Sequence, residues 1–265
     1  MLKKFWSVLV VLTCLLTVHC GFAQDISSDP ESRIAIISAM DTEIDLLLTK
    51  ADIEYEDHVA NTVFNVGTLC GKKVVIAEAG VGKVMSASGT AALFNRYNIS
   101  SLIFTGVAGG VGDETKVLDM VIATDLVQHD YGKITDDGFE WTNTHDNNNG
   151  GYYSCDAALV ELAYQAAVEK VGEEHVFKGT IATGDQFVSS ASYVKILQEK
   201  FDAIACEMEG ASVAAVCMQY QVPYVVIRSM SDKADGIAHE TYENFVDIAA
   251  DNSCIVVMRM LENMN

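Results

Sequence analysis

The chain has 265 residues, of which half are apolar and only two are proline. This length provides one large domain with a substantial core and is short for two domains. With 17 basic and 37 acidic residues, the net charge of −20 excludes nucleic acid and anionic lipid surfaces as electrostatic partners.

The first 23 residues have the pattern of an export signal. Lys3 and Lys4 precede an uncharged run at 5–18 that is rich in Leu and Val, and small residues stand at positions 21 and 23 where a signal peptidase reads the chain. We therefore expect cleavage before Gln24 and an exported protein, either periplasmic or secreted. The alternatives are lipidation at the cysteine of position 20, which the preceding histidine disfavours, and a retained membrane anchor, for which the apolar run is short.

Five cysteines follow the signal, an odd number without metal-ligand spacing. The last three lie in apolar runs, which predicts buried thiols. An oxidising compartment would permit a disulfide, but the sequence indicates no pair. These cysteines are Cys70, Cys155, Cys206, Cys217 and Cys254.

After a polar segment at 24–32 that we expect to be flexible, strands and helices interleave. Short apolar runs predict buried strands, and apolar residues at helical spacing predict helices. In chain order, we predict a strand at 33–37, a helix at 41–51, paired strands at 61–69 and 73–77, a helix at 84–95, strands at 101–104 and 120–124, a helix at 155–171, a strand at 176–183, a helix at 193–200, a strand at 203–206, a helix at 210–220, a strand at 223–228 and a helix at 242–262.

Two stretches are predicted to be loops: the glycine-rich segment 106–112 and the Asn-rich polar segment 136–151. The final helix is expected to bury Phe245, Ile248 and Ala249. The interleaved pattern predicts a single α/β domain at 33–265, a three-layer α/β/α sandwich whose central sheet is mixed and mostly parallel. Ligands of such folds bind beyond the carboxyl ends of the strands.

Unusual residues follow four of the predicted strands. The first is Glu43, which also fits an acid that complements a helix dipole. The second is the glycine segment, which is neither a phosphate-binding P-loop nor a dinucleotide fingerprint and also fits a simple turn. The third is Glu207-Met208-Glu209, which also fits a solvated turn. The fourth joins Arg228 to Asp232, which also fits an ion pair or a helix cap. Four such ends on one edge of one sheet predict a site.

The motifs at these positions resemble the 5'-methylthioadenosine/S-adenosylhomocysteine nucleosidases of the nucleoside phosphorylase superfamily. The resemblance runs from about residue 33 to the C-terminus. Six motifs stand in the family's order: IAIISAMDTEIDLL, AGVGKV, TGVAGGV, TGDQFV, EMEGASVAAVC and VVIRSMSDKAD. Their order and spacing are specific, whereas each motif alone would be weak.

The resemblance implies roles for individual residues. Glu43 would be the base that activates water, and Asp232 would be the acid that protonates adenine N7. The expected contacts with substrate are Glu209 and Met208 at the ribose, Phe187 and the Val188 backbone at adenine, Ser231 and Arg228 beside the acid and the water, Met40, Val81 and Tyr242 around the 5'-substituent, and Glu207, Val107, Ala108 and Gly109 elsewhere in the pocket.

The resemblance also implies a nucleoside phosphorylase-like fold, a homodimer, a small nucleoside as the substrate, and neither metal nor cofactor. Three departures concern substrate preference: Val107 stands where many relatives carry a hydroxyl residue, Lys133 is expected near an apolar part of the 5'-pocket, and the polar segment 136–151 is unlike the family. The competing hypotheses are a phosphorolytic nucleoside phosphorylase and a secreted binding or storage protein without activity. The presence of Glu43, Glu209 and Asp232 together favours an enzyme.

Overall fold

The protein is described by a computed structural model that covers residues 31–142 and 150–264. The predicted signal at 1–23 and nearly all of the segment predicted to be flexible lie outside these residues. Within them, no helix is long and apolar enough to cross a membrane.

The strands are β1 (Ser32–Ser38), β2 (Asp52–Val59), β3 (Thr62–Leu69), β4 (Lys72–Glu78), β5 (Asn98–Gly110), β6 (Met120–Gln128), β7 (Gly132–Thr135), β8 (Gly138–Trp141), β9 (Tyr152–Ser154), β10 (Val176–Thr183), β11 (Ala203–Glu207) and β12 (Tyr224–Asp232). The helices are α1 (Asp45–Lys50), α2 (Lys83–Arg96), α3 (Ala157–Val171), α4 (Ala191–Phe201), α5 (Gly210–Tyr220) and α6 (Ala238–Asn263), with 3-10 turns at Asp41–Glu43 and Glu173–His175.

The central sheet is mixed, as predicted. Its strands follow the order β11-β10-β6-β12-β5-β1-β4-β3-β2, and β11 also pairs with the end of β5. The strands β4, β1, β5 and β12 run parallel, whereas β12 pairs antiparallel with β6 and β11 pairs antiparallel with β5. Besides β1 and β12, β5 has β11 as a third partner, and this pairing closes β5, β12, β6, β10 and β11 into a ring.

The sheet is covered on both faces. In β1, Ala35 and Ile37 pack into a core with α2 and α5, while the intervening Ile36 packs into a second core with α1, α3 and α6. This alternation follows from the strand geometry, which directs successive side chains to opposite faces. The three-layer arrangement predicted from the sequence is therefore confirmed.

The prediction of a loop at 106–112 was wrong over most of its length. β5 is one strand of 13 residues that runs through Gly106, Gly109 and Gly110. A Cβ atom at Gly106 would lie 2.2 Å from Arg228 Nη1, and one at Gly109 would lie 2.9 Å from Asp232 Oδ1. These glycines therefore allow neighbouring side chains to approach the strand closely, and they do not mark a turn.

Several element boundaries also differ from the sequence prediction. The strand β2 was not predicted, because its polar sequence DIEYEDHV lacks an apolar alternation. The helix predicted at 41–51 is a 3-10 turn followed by the short α1. The hairpin of β7 and β8 extends into the segment predicted to be a loop, of which residues 143–149 lie outside the described ranges. In α6, Ala249 is buried, Phe245 is half-buried and Ile248 is 50% exposed rather than buried.

All five cysteines that follow the predicted signal are free thiols. Cys206, Cys217 and Cys254 are buried, as predicted.

Candidate active site

A cavity of about 480 Å³ opens at the carboxyl ends of β1, β11 and β12, beside the glycine-rich half of β5. The sequence predicted this edge of the sheet as the site. The cavity is lined by Ala39, Met40, Glu43, Val81, Val107, Ala108, Gly109, Gln186, Phe187, Val188, Cys206, Glu207, Met208, Glu209, Ser231, Asp232, His239 and Tyr242. Every residue that the sequence predicted for the site is among them except Arg228.

Glu43 is held at the floor of the cavity by three backbone amides. The amides of Ala39 and Met40 each donate to Oε2 at 3.0 Å, and the amide of Val107 donates to Oε1 at 2.9 Å. The side chain thus caps the 3-10 turn that follows β1 and also ties this turn to β5. Burial raises the pKa of Glu43 above its ordinary value, although Arg228 and the amides lower it. A proton acceptor is therefore fixed in place and kept out of bulk water.

Arg228 lies beneath the cavity wall, and its side chain is fully buried. Its Nη1 lies 3.8 Å from Glu43 Oε1, while its Nη2 lies 3.6 Å from Glu209 Oε2 and donates to Glu207 Oε2. Its guanidinium stacks 4.5 Å from the ring centroid of Phe104. Burial alone would lower the pKa of Arg228, but the three carboxylates raise it. The Arg228 guanidinium therefore holds the three glutamates in place. The sequence predicted that Arg228 would contact the substrate, whereas the structure places it behind the residues that line the cavity.

Glu207 lines the cavity, but its carboxylate already has protein partners on both oxygens. Oε1 accepts from the Thr183 hydroxyl, while Oε2 accepts from Arg228 and from the amides of Glu209 at 3.0 Å and Gly210 at 2.7 Å. Glu207 therefore fixes the start of α5 instead of offering a free oxygen to a ligand.

Glu209 is the more available of the two acids that flank Met208. Its Oε1 accepts from the Gly82 amide at 2.8 Å, and it is 5% exposed. Burial, followed by the neighbouring Glu207, raises the pKa of Glu209 to about 7. Gly82 belongs to the turn before α2, so this contact joins the start of α5 to the opposite wall of the cavity.

Asp232 ends β12 with its carboxylate in the cavity. Oδ1 accepts from the Ala234 amide at 2.7 Å, and Oδ2 accepts from the Ser231 hydroxyl at 2.9 Å. Burial raises the pKa of Asp232, and these two hydrogen bonds oppose that rise. The carboxylic acid form is therefore populated at higher pH than in an exposed aspartate, as a proton donor requires.

Aromatic side chains form the mouth of the cavity. Phe187 is 47% exposed and meets Tyr242 edge to face, with ring centroids 5.8 Å apart. The Tyr242 hydroxyl reaches Met40 Sδ at 3.5 Å, and the exposed His239 lies 6.3 Å from the Phe187 ring. An exposed aromatic face in a cavity is suited to stacking on a planar base.

Four lining residues were not predicted from the sequence: Ala39, Gln186, Cys206 and His239. The first three adjoin residues that were predicted, so their neighbours were the available signal. His239 had none, because it lies before the helix predicted at 242–262, whereas α6 begins at residue 238. Lys133, expected near the 5'-pocket, lies exposed on β7 and does not line the cavity, so that expectation was wrong for the pocket of its own chain.

Comparison with known proteins identifies the family of this chain. The model of the phosphorylase superfamily matches residues 33–262. A 5'-methylthioadenosine/S-adenosylhomocysteine nucleosidase from Bacillus licheniformis is 37% identical over 234 residues, which cover 88% of this chain and 100% of the relative. This chain belongs to the 5'-methylthioadenosine/S-adenosylhomocysteine nucleosidase family.

Solved structures of the same family share the fold. The nucleosidase from Neisseria meningitidis, in complex with methylthio-immucillin-A, has a TM-score of 0.80 and 34% identity, with 88% of this chain and 99% of that chain covered. A mutant of the Helicobacter pylori enzyme with 5'-methylthioadenosine in its active site has a TM-score of 0.79 and 31% identity, with 88% and 100% covered. The nucleoside phosphorylase-like fold predicted from the motifs is therefore confirmed.

Proposed function

We propose that this protein hydrolyses the N-glycosidic bond of 5'-substituted adenine nucleosides, such as 5'-methylthioadenosine or S-adenosylhomocysteine, to release adenine and the ribose derivative. The observation that carries this proposal is the pair of buried carboxyl groups, Glu43 and Asp232, in one cavity with an exposed aromatic face. Family membership and the ligands named for the Neisseria and Helicobacter proteins support the same substrate class.

Asp232 acts as the general acid. As the bond between ribose and adenine breaks, negative charge builds on the base and positive charge builds on the sugar. A proton delivered to N7 neutralises the base and makes it a better leaving group. The raised pKa of Asp232 keeps that proton available, and the Ala234 amide and the Ser231 hydroxyl fix the orientation of its carboxyl group.

Glu43 acts as the general base. A carboxylate with a raised pKa accepts a proton from water more readily as the water attacks the anomeric carbon. Two carboxyl groups that divide the acid and base roles follow the logic of glycoside hydrolysis, here with a nitrogen leaving group. Arg228 keeps Glu43 from being fully neutralised by burial, since Nη1 lies 3.8 Å from Oε1.

The remaining lining residues fit an adenine nucleoside. Phe187 would stack on the base, and the Val188 backbone would pair with its edge. Glu209 and Met208 would hold the ribose. Met40, Val81 and Tyr242 would surround the 5'-substituent, for which an apolar thioether is the best match. The Tyr242 hydroxyl already contacts Met40 Sδ.

Phosphorolysis is disfavoured by the charges of the site. The lining residues, all within the described part of the chain, include no lysine or arginine. Arg228 lies behind the wall with three carboxylates around it. A phosphate beside Glu43 would meet a like charge, which costs several kcal/mol at close range.

The test uses purified protein and four nucleosides: 5'-methylthioadenosine, S-adenosylhomocysteine, adenosine and inosine, each with and without phosphate. We expect adenine release without phosphate and the lowest kcat/KM for inosine, because a 6-oxo purine leaves buried polar groups mispaired at about 1–3 kcal/mol each. A requirement for phosphate, with ribose 1-phosphate as product, would identify a phosphorylase. Binding without turnover of any of the four would identify a binding protein.

Export is part of the proposal, supported by the signal pattern of the first 23 residues. Sequencing the N-terminus of the native protein should give a start near Gln24 in the extracytoplasmic fraction. An intact Met1 in the cytosol would exclude export.

A homodimer is also proposed. Support comes from the exposed apolar side chains at the start of α2, where Val84 is 77% and Met85 is 49% exposed, and from Ile134 on the hairpin of β7 and β8, which is 83% exposed. Large apolar side chains exposed to this extent are candidates for burial at an association surface. Light scattering at micromolar concentration should give twice the chain mass, and a stable monomer would exclude the dimer.

A further inference from the structure

A network of polar side chains lies beside the cavity and takes no part in the chemistry described above. Lys83 Nζ lies 2.6 Å from Asp130 Oδ1 and donates to Gln128 Oε1 at 3.2 Å. The other oxygen of Asp130 accepts from the Asp185 amide at 2.9 Å. The Asp185 carboxylate in turn accepts from the Lys83 amide at 2.8 Å. We name Lys83, Gln128, Asp130 and Asp185 the Asp130 clasp.

The clasp joins three segments that are distant in sequence: the start of α2, the end of β6 and the connection between β10 and α4. Its ion pair is largely shielded, with the Lys83 side chain 18% and the Asp130 side chain 12% exposed. Burial alone would raise the pKa of Asp130, but Lys83 and the Asp185 amide lower it below its ordinary value. The carboxylate is thus charged at neutral pH and its hydrogen bonds are charge-assisted, which makes them strong.

Two of the three segments that the clasp joins carry residues that line the cavity. On one side, Val81 lines the cavity and the Gly82 amide donates to Glu209. On the other side, Gln186 and Phe187 line the cavity directly after Asp185. A continuous chain of contacts therefore runs from the proposed ribose ligand, through the clasp, to the proposed adenine platform.

We propose that the Asp130 clasp is a positioning device that fixes the adenine-stacking loop against the ribose-binding wall, and that it thereby sets the affinity for the nucleoside and not the rate of bond cleavage. The inference rests on the proposed function, because it assigns the two walls to adenine and ribose.

The division between affinity and rate follows from where the groups are attached. Glu43 and Asp232 are fixed by amides and a hydroxyl near the ends of β1, β5 and β12, and none of their hydrogen bonds involves the clasp. Without the clasp, the two loops must be ordered when the substrate binds, and that cost reduces affinity. Once the substrate is bound, the acid and the base still have their own supports, so the chemical step is largely preserved.

The experiment compares Asp130→Asn, Lys83→Met, Lys83→Arg and the double variant Lys83→Met/Asp130→Asn with the wild type, using 5'-methylthioadenosine. The matched control is Asp57→Asn, which breaks the ion pair of Asp57 with Arg96 at the other end of α2, where Nε lies 2.6 Å from Oδ2. The measurements are KM, kcat, the inhibition constant of adenine and the thermal midpoint.

We expect each of the two disrupting single variants to raise KM and the inhibition constant of adenine about tenfold, equivalent to about 1.4 kcal/mol, while kcat changes less than about threefold. The double variant should resemble the more affected single variant, because both single changes remove the same ion pair between Lys83 and Asp130. Lys83→Arg should retain near-normal KM, and Asp57→Asn should leave both kinetic constants unchanged whatever its effect on the thermal midpoint.

Equal losses in kcat and kcat/KM, additive effects in the double variant, or an unchanged KM in both Asp130→Asn and Lys83→Met would each overturn the proposal. If Asp130→Asn fails to fold, the comparison of Lys83→Met with Lys83→Arg decides the question by itself. A wild-type protein that releases no adenine would instead refute the proposed function, and this result is separate from any difference between variants.

Discussion

Replacing Asp232 with asparagine removes the proposed proton donor and almost nothing else. The side chain is 2% exposed, and its two oxygens face the Ala234 amide and the Ser231 hydroxyl. An amide oxygen can still accept from Ala234, and the hydroxyl of Ser231 can rotate to accept from the new NH2 group. We therefore expect Asp232→Asn to fold normally and to keep its cavity.

The size of the loss follows from the role of the proton. General acid catalysis typically contributes about 10²–10⁴ in rate, or about 3–5 kcal/mol of transition-state stabilisation. We expect kcat for 5'-methylthioadenosine to fall by that factor, with KM changed only slightly, because the stacking and ribose contacts remain. Wild-type activity should also decline as the pH rises through the raised pKa of Asp232, since the protonated form is the active one.

The assay follows adenine release against pH for the wild type, Asp232→Asn and the control Asp235→Asn. Asp235 is three residues further on, binds the Ile237 amide at 3.0 Å and does not line the cavity. The control should keep wild-type turnover at low pH, and its decline should begin at a lower pH than in the wild type, because the Asp235 carboxylate contributes to the raised pKa of Asp232. Turnover of Asp232→Asn within about tenfold of the wild type, or a residual pH profile identical to that of the wild type, would refute the reasoning.

The other predictions concern the floor and rim of the same cavity. Glu43→Gln should lower kcat as severely as loss of the acid, because an amide cannot take a proton from water; kcat measurements check this. Gly106→Ala should destabilise the protein by about 1–3 kcal/mol and abolish activity, because the new Cβ atom would lie 2.3 Å from a Glu43 oxygen. The control is Gly236→Ala, whose new Cβ atom would have no neighbour within 4 Å, and it should unfold like the wild type in denaturant. Burial raises the pKa of Glu209 from 4.5 to about 7, so the contribution of this group to folding stability should be greatest below pH 4.5 and should be lost as the pH rises through 7. The difference in thermal midpoint between the wild type and Glu209→Gln, followed over that pH range, measures this contribution. A difference that stays constant with pH would contradict the prediction. Lys133→Ala should leave the ranking of the four nucleosides unchanged, since the lysine is exposed on β7.

Much of the fold was predictable because buried strands and amphipathic helices have distinct periodicities. The runs at 33–37 and 176–183 gave β1 and β10 almost without error, and α5 was predicted to the residue. The main error was the loop predicted at 106–112, where the high glycine content was interpreted as a turn. Glycine in β5 provides room for Arg228 and Asp232, and a search for apolar alternation cannot distinguish that use from a loop.

From the residues alone the site was predictable as a set of strand ends, whereas the roles of the individual side chains came only from the family resemblance. The motif Glu207-Met208-Glu209 presents two equivalent acids in the sequence, yet only the structure shows that Glu207 is saturated by protein donors while Glu209 is not. That difference depends on Thr183 and Arg228, which lie on other strands. His239 was missed for another reason: α6 begins four residues before the predicted helix, so the helical spacing from His239 to Tyr242 was not available.

The closed ring of strands has a consequence at the far end of the sheet. Because β11 returns to pair with β5, the long strand with an open edge is β2. An open edge exposes backbone donors and acceptors to which a second molecule can add a strand, which is a route to aggregation. The exposed acids Asp52, Glu54 and Glu56 place negative charge along β2, and charge on an edge strand discourages such addition. The polar sequence that prevented the prediction of β2 therefore also opposes edge-to-edge pairing between molecules. Replacing these acids with valine or threonine would remove that protection.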